Sequence, residues 1–219
     1  TLDRSSAASD VYKRQVVNVP SFYIDRTAVT VEAYAACVDA RVCRAPARMS
    51  PYEPAMPSLC TWTRRRPNDQ ITCVDWFDAQ AYCRFRGARL PTEFEWKLAA
   101  FGPNQTEFPW GDSQEILRAF LESTEPLEVA GDFPRGASMY GMLDVAEGLE
   151  WVFDSAGGYT IDPNGPDITA DHGNAPRLVM GSSFVGNFRR PPASARMSQD
   201  PSFRLPINRF RCAVRDSEL

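Results

Sequence analysis

Along this chain the spacing of apolar residues changes from the period of a strand to that of a helix, and the changes mark the first elements. VVNVPSFYID, from Val16 to Asp25, is rich in β-branched and aromatic residues and reads as a strand. In TVEAYAACVDA the period lengthens: Thr30 can cap a helix that places Val31, Tyr34 and Val38 on one face, with Glu32 in its first turn. From Arg41 to Asp69 Pro, Arg and Ser abound and no period is visible. That stretch reads either as a long irregular connection tied down by cysteines or as a plain surface loop. CVDWFDAQAYCRFRG starts a helix at the Asp75 cap, with Asp78 in the first turn, Trp76, Ala79 and Cys83 at helical spacing, and a stop at Gly87. In PTEFEW, Thr92 and Glu95 form a capping box for a helix running to about Ala100. FPWGD, a stretch of Pro and Gly turns, the apolar YGMLDVAEGLEW, a Gly/Asp/Pro loop and two closing strands, RLVMGSSF and RFRCAV, complete the chain. No repeat and no dividing linker is visible. The expectation is a single domain over residues 16–219, preceded by a polar tail or sequence-derivation artefact over residues 1–15 that lies outside the fold.

Composition agrees with this layout and excludes some functions. The hydrophobic share of 43%, the charged share of 24%, and 18 Pro with 13 Gly point to a loop-rich α+β domain. Net charge is -4 with the two signs interspersed, so no basic face exists to neutralise phosphates and nucleic acid is not an expected partner. No apolar run approaches the roughly 20 residues of a membrane span, and no signal-peptide pattern is visible. The six cysteines, Cys37, Cys43, Cys60, Cys73, Cys83 and Cys212, have no zinc-type spacing, and His172 is the one histidine. They read as disulfides formed in an oxidising compartment; the alternative is six reduced, buried thiols.

The strings FYIDRTAVTVEAY, CVDWFDAQAYCRFRGARLPTEFEWKLAA, FPWGD, YGMLDVAEGLEW, RLVMGSSF and RFRCAV resemble, in order, the landmarks of the formylglycine-generating enzyme family, also called the sulfatase-modifying-factor family. The resemblance runs from Val16 to Val214. It implies a compact α+β fold, poor in regular secondary structure and related to C-type lectin-like folds, in which RLPTEFEW and FPWGD act as scaffold. It also implies a disulfide between Cys83 and Cys212, with Cys37, Cys43, Cys60 and Cys73 pairing among themselves in an open connectivity.

The family's catalyst holds copper(I) through two cysteine thiolates just after the GGSF-like strand. Here that strand is GSSF and continues VGNFRRPPASARMSQDPSF, without a cysteine; none occurs between Cys83 and Cys212. Copper is therefore not expected, because copper(I) requires soft thiolates. The iron site of the family's sulfoxide synthases needs several histidines, and His172 alone cannot supply them. Calcium is the remaining inorganic candidate. Phe120 stands where relatives carry an Asn ligand, Ala28 replaces an acidic residue near the cleft, and Asp144, Glu147 and Glu150 are left as oxygen donors. The competing reading has Asp144 and Glu150 satisfying backbone donors in a tight turn.

Three functions follow. The first is a non-catalytic module that binds a peptide, glycan or protein partner, as the extracytoplasmic part of a bacterial receptor or kinase-linked protein. The second is a family enzyme with a cysteine-free mechanism acting on a small molecule or natural product, its pocket lined by Ser183, Asn187, Arg190 and Arg196. The third, an active formylglycine generator, conflicts with the cysteine positions.

Overall fold

Thr30 and Asp75 begin their helices as the sequence predicts, and they begin them by the same device. In a computed structural model, which describes residues 17–46, 60–122, 128–146, 148–156, 175–181 and 196–218, each side chain accepts an N–H that the first helical turn would otherwise leave unpaired. Strand β1 is Phe22–Ile24, followed by helices α1 (Val31–Asp39), α2 (Thr61–Arg64), α3 (Trp76–Phe85), α4 (Glu93–Phe101) and α5 (Gln114–Glu122). Strands β2 (Leu149–Ser155), β3 (Arg177–Gly181), β4 (Arg196–Gln199), β5 (Asn208–Phe210) and β6 (Ala213–Arg215) follow. Gly87, past the end of α3, takes the left-handed φ of 71° that a helix stop favours.

Four strands form one sheet in the order β4-β3-β2-β5, with β3 antiparallel to both neighbours and β5 parallel to β2. β1 and β6 make a separate antiparallel pair. Side-chain alternation divides the core across the larger sheet. Leu149, Trp151, Phe153 and Val179 face one cluster with Tyr34 of α1 and Trp76, Ala79 and Cys83 of α3. Val152, Leu178 and Met180 face the other, with Trp96, Ala99 and Phe101 of α4. A sheet covered on both faces explains why LEWVF and RLVM read as nearly continuous apolar runs.

Two sequence expectations are corrected. Of the strand expected over Val16–Asp25, the described residues, 17–25, form it only at Phe22–Ile24, where the three residues of β6 are available to pair with it. RFRCAV is not one strand: Phe210 ends β5 in the large sheet, Ala213 begins β6 in the small one, and Arg211 and Cys212 turn between them into the core. The landmarks read as scaffold do pack inward. Trp96 is fully buried, and Trp110 of FPWGD stacks on Phe108 at 5.3 Å beside Phe120 and Phe133.

Candidate functional site

The end of β2, the head of α4 and the start of β4 converge on Glu93. Its side chain is buried, receiving Lys97 Nζ at 2.6 Å on one oxygen and Arg196 Nε at 3.0 Å on the other. The Glu93 N–H donates to Asp154 Oδ2 at 2.7 Å. Burial pushes the Asp154 carboxyl above the usual carboxylate range; the Glu93 N–H opposes that shift and the neighbouring Glu93 and Glu95 charges add to it. Behind it, Thr92 and Glu95 close their capping box, and Arg89 grips both oxygens of Glu95 at 2.7 Å. Arg177, at the start of β3, lays its guanidinium 3.9 Å over the Trp76 ring and donates to the Phe153 carbonyl. Of the four groove candidates, Arg196 is thus placed by Glu93 at the start of β4; Ser183, Asn187 and Arg190 lie outside the described residues.

The carboxylates considered for calcium sit elsewhere. Glu150 is 1% exposed and takes Arg211 Nη2 at 2.6 Å on one oxygen, and Arg211 Nε at 2.7 Å with Trp96 Nε1 at 2.8 Å on the other. Arg211 completes its bonds on the carbonyls of Asp25, Arg26 and Leu143. Asp144, at a left-handed φ of 67°, accepts Gly131 N at 2.8 Å on one oxygen and Ala28 N at 3.3 Å on the other. Burial raises its pKa, against the Arg211 charge and the two N–H donors. Every oxygen of these two side chains therefore has a protein donor, and Glu147 lies outside the described residues. Among the described residues no three His, Cys, Asp or Glu side chains gather in a metal-holding group.

The cysteines form three bridges, Cys37–Cys43, Cys60–Cys73 and Cys83–Cys212. The last joins α3 to the residue just before β6, as the family resemblance implies. A family model described as the sulfatase-modifying factor enzyme 1-like domain matches residues 3–216. The chain belongs to this family. Among its sulfatase-modifying-factor relatives, a formylglycine-generating enzyme from Thermomonospora curvata is 32% identical over 179 residues, covering 68% of this chain and 56% of that protein. The inactive C-alpha-formylglycine-generating enzyme 2 of Mus musculus is 29% identical over 167 residues, covering 65% of this chain and 48% of that protein. The chain thus spans about half the length of these curated relatives. In fold it resembles Treponema denticola variable protein 1, with a TM-score of 0.62 at 19% identity, covering 93% of this chain and 90% of that one.

Membership of the sulfatase-modifying-factor family raises the question of copper(I), and the donor set bears on it. All six cysteines are bridged, no cysteine is free, and the stretch from Val185 to Ser202 contains none. Met197 of β4 is a thioether and supplies no anionic sulfur. The residues present do not fit the thiolate site of the family's catalyst.

Sequence reasoning missed Glu93 as the partner of Arg196 and Asp154 as the acceptor of the Glu93 N–H, and missed the Glu150–Arg211 pair. A signal for the second existed: Glu150 in LEWVF and Arg211 in FRCAV are lone opposite charges inside apolar runs, and two buried charges in one core must meet. Nothing in sequence placed Glu93 beside Arg196, which is 103 residues away.

Proposed function

We propose that this chain is a non-catalytic binding domain of the sulfatase-modifying-factor family, serving an extracytoplasmic bacterial protein and recognising a peptide, glycan or protein partner. The observation that carries this reading is the commitment of every cysteine to a buried disulfide, which leaves no thiolate for copper(I). Three disulfides also support an oxidising environment. The family accommodates such members: the relative from Mus musculus carries the name of an inactive enzyme. No helix among the described residues is long and apolar enough to cross a membrane.

The test supplies the purified chain with copper(I), oxygen and reductant, and offers it a cysteine peptide of the sulfatase type. The expected result is no aldehyde above a no-protein control and no one-to-one copper by metal analysis. Aldehyde formation with stoichiometric copper would return the chain to the enzymes.

A further inference from the structure

Away from Glu93, the head of α3 holds two carboxylates nearly free of solvent: the Asp75 and Asp78 side chains are 5% and 3% exposed. Two anions in so dry a place require cations. Arg204, in the segment between β4 and β5, donates to Asp75 Oδ2 through Nη2 at 2.8 Å and to Asp78 Oδ2 at 2.5 Å. Arg44 supplies the second positive charge, its Nε 2.7 Å from Asp78 Oδ1 and its Nη2 2.9 Å from Asp75 Oδ2.

The two arginines are held differently. The Arg204 side chain is 11% exposed, whereas that of Arg44 is 63% exposed and belongs to no helix or strand. Arg44 is placed through its backbone. Cys43, the preceding residue, is bridged to Cys37 of α1, and the Val42 and Cys43 N–H groups both donate to the Cys37 carbonyl at 3.2 Å. The Tyr34 hydroxyl donates to the Arg44 carbonyl at 3.0 Å.

We propose that the Cys37–Cys43 disulfide is an electrostatic clasp: its closure delivers Arg44 to Asp75 and Asp78, so the charge balance at the head of α3 depends on the redox state of this bridge. Opening is thiol–disulfide exchange with a dithiol reductant. The Cys37–Cys43 S–S bond breaks, the two sulfurs leave as thiols carrying two electrons and two protons from the reductant, and the reductant closes to its own disulfide. Cys43, at 6% exposure against 0% for Cys37, is the less deeply buried residue of the pair. With Arg44 released, Asp78 faces Asp75, Arg204 and the Tyr34 phenol. Burial already holds its carboxyl above the usual range, and it takes up a proton more readily still. The effect reaches the segment between β4 and β5, because Trp76 N donates to the Pro201 carbonyl and Cys73 N to that of Leu205.

The test compares thermal unfolding of the full chain with that of Arg44→Gln, Cys37→Ser/Cys43→Ser and their combination between pH 4 and 8. A protonated Asp78 does not need Arg44, so the wild type and Arg44→Gln converge at the acid end. As pH rises through the raised Asp78 pKa the variant loses stability, by about 3 °C or more at pH 8, the shift expected for roughly 1 kcal/mol at this size. The cysteine variant shows the same pH-dependent loss above a pH-independent offset, and adding Arg44→Gln to it changes little. Full additivity, or a cysteine offset that is flat with pH, would overturn the clasp. Should the cysteine variant not fold, amide exchange at Trp76 and Asp78 is compared in wild type before and after dithiol treatment, with alkylation marking Cys37 and Cys43. Acceleration supports the proposal, and unchanged exchange after their alkylation sinks it.

Discussion

Asp154 shows how one side chain in this fold works against its surroundings. It caps the N–H of Glu93, yet burial and the charges of Glu93 and Glu95 all favour its protonated form. A carboxyl whose folded pKa lies above its unfolded value contributes stability at low pH, and loses that contribution as pH rises through the folded pKa. Asp154→Asn keeps an oxygen to accept the Glu93 N–H and removes the charge. The variant should match wild type near pH 4 and become more stable than it as pH rises to 7 to 8. Urea denaturation at both pH values measures this. A variant less stable than wild type at pH 8 would mean that the charge is compensated by a group other than those named. Glu150 and Arg211 are the contrasting case, because each oxygen and nearly every N–H of that pair is matched inside the core.

At the scale of elements, α4 ties local signals to the candidate site. Thr92→Ala removes the oxygen that receives the Glu95 N–H, and should lower stability by about 1 kcal/mol with an unchanged denaturant slope. A loss below about 0.3 kcal/mol would show that Arg89, which holds Glu95 by itself, fixes the helix start without the threonine. Helices α3 and α4 were legible in sequence because a cap is a contract between residues three positions apart. The strands were less legible for the opposite reason. Residues 209–214 satisfy a strand pattern throughout, but the partners are β2 for Phe210 and β1 for Ala213, and Arg211 must leave the ladder to reach Glu150. β4 and α5 went unread, because β4 is short and exposed and α5 follows a stretch dominated by turns. Of the groove candidates only Arg196 lies among the described residues, and its pairing with Glu93 was not legible, because chain topology rather than spacing brings the two together.

At the scale of the molecule, the three disulfides divide the chain unequally. Cys37–Cys43 and Cys60–Cys73 span 6 and 13 residues, whereas Cys83–Cys212 spans 129 and joins the core-facing side of α3 to the closing segment. In the chain-entropy model a bridge stabilises by restricting the unfolded chain, with a logarithmic dependence on loop length; the long loop is worth about 5 kcal/mol and the shortest about 2. Cys83 and Cys212 also pack within the cluster that holds Tyr82, Leu90 and Phe210, so replacing both by Ala removes buried sulfur as well as the constraint. The expected outcome is a Cys83→Ala/Cys212→Ala variant that loses more stability than Cys37→Ser/Cys43→Ser, about 5 kcal/mol or more against about 2 plus the contribution of Arg44. Guanidinium denaturation with the remaining bridges intact measures the difference, and thiol titration of the unfolded, unreduced wild type should find no free thiol. Equal losses from the two variants would mean that loop length is not what this bridge contributes, and that residual structure in the unfolded chain already holds α3 close to the closing segment.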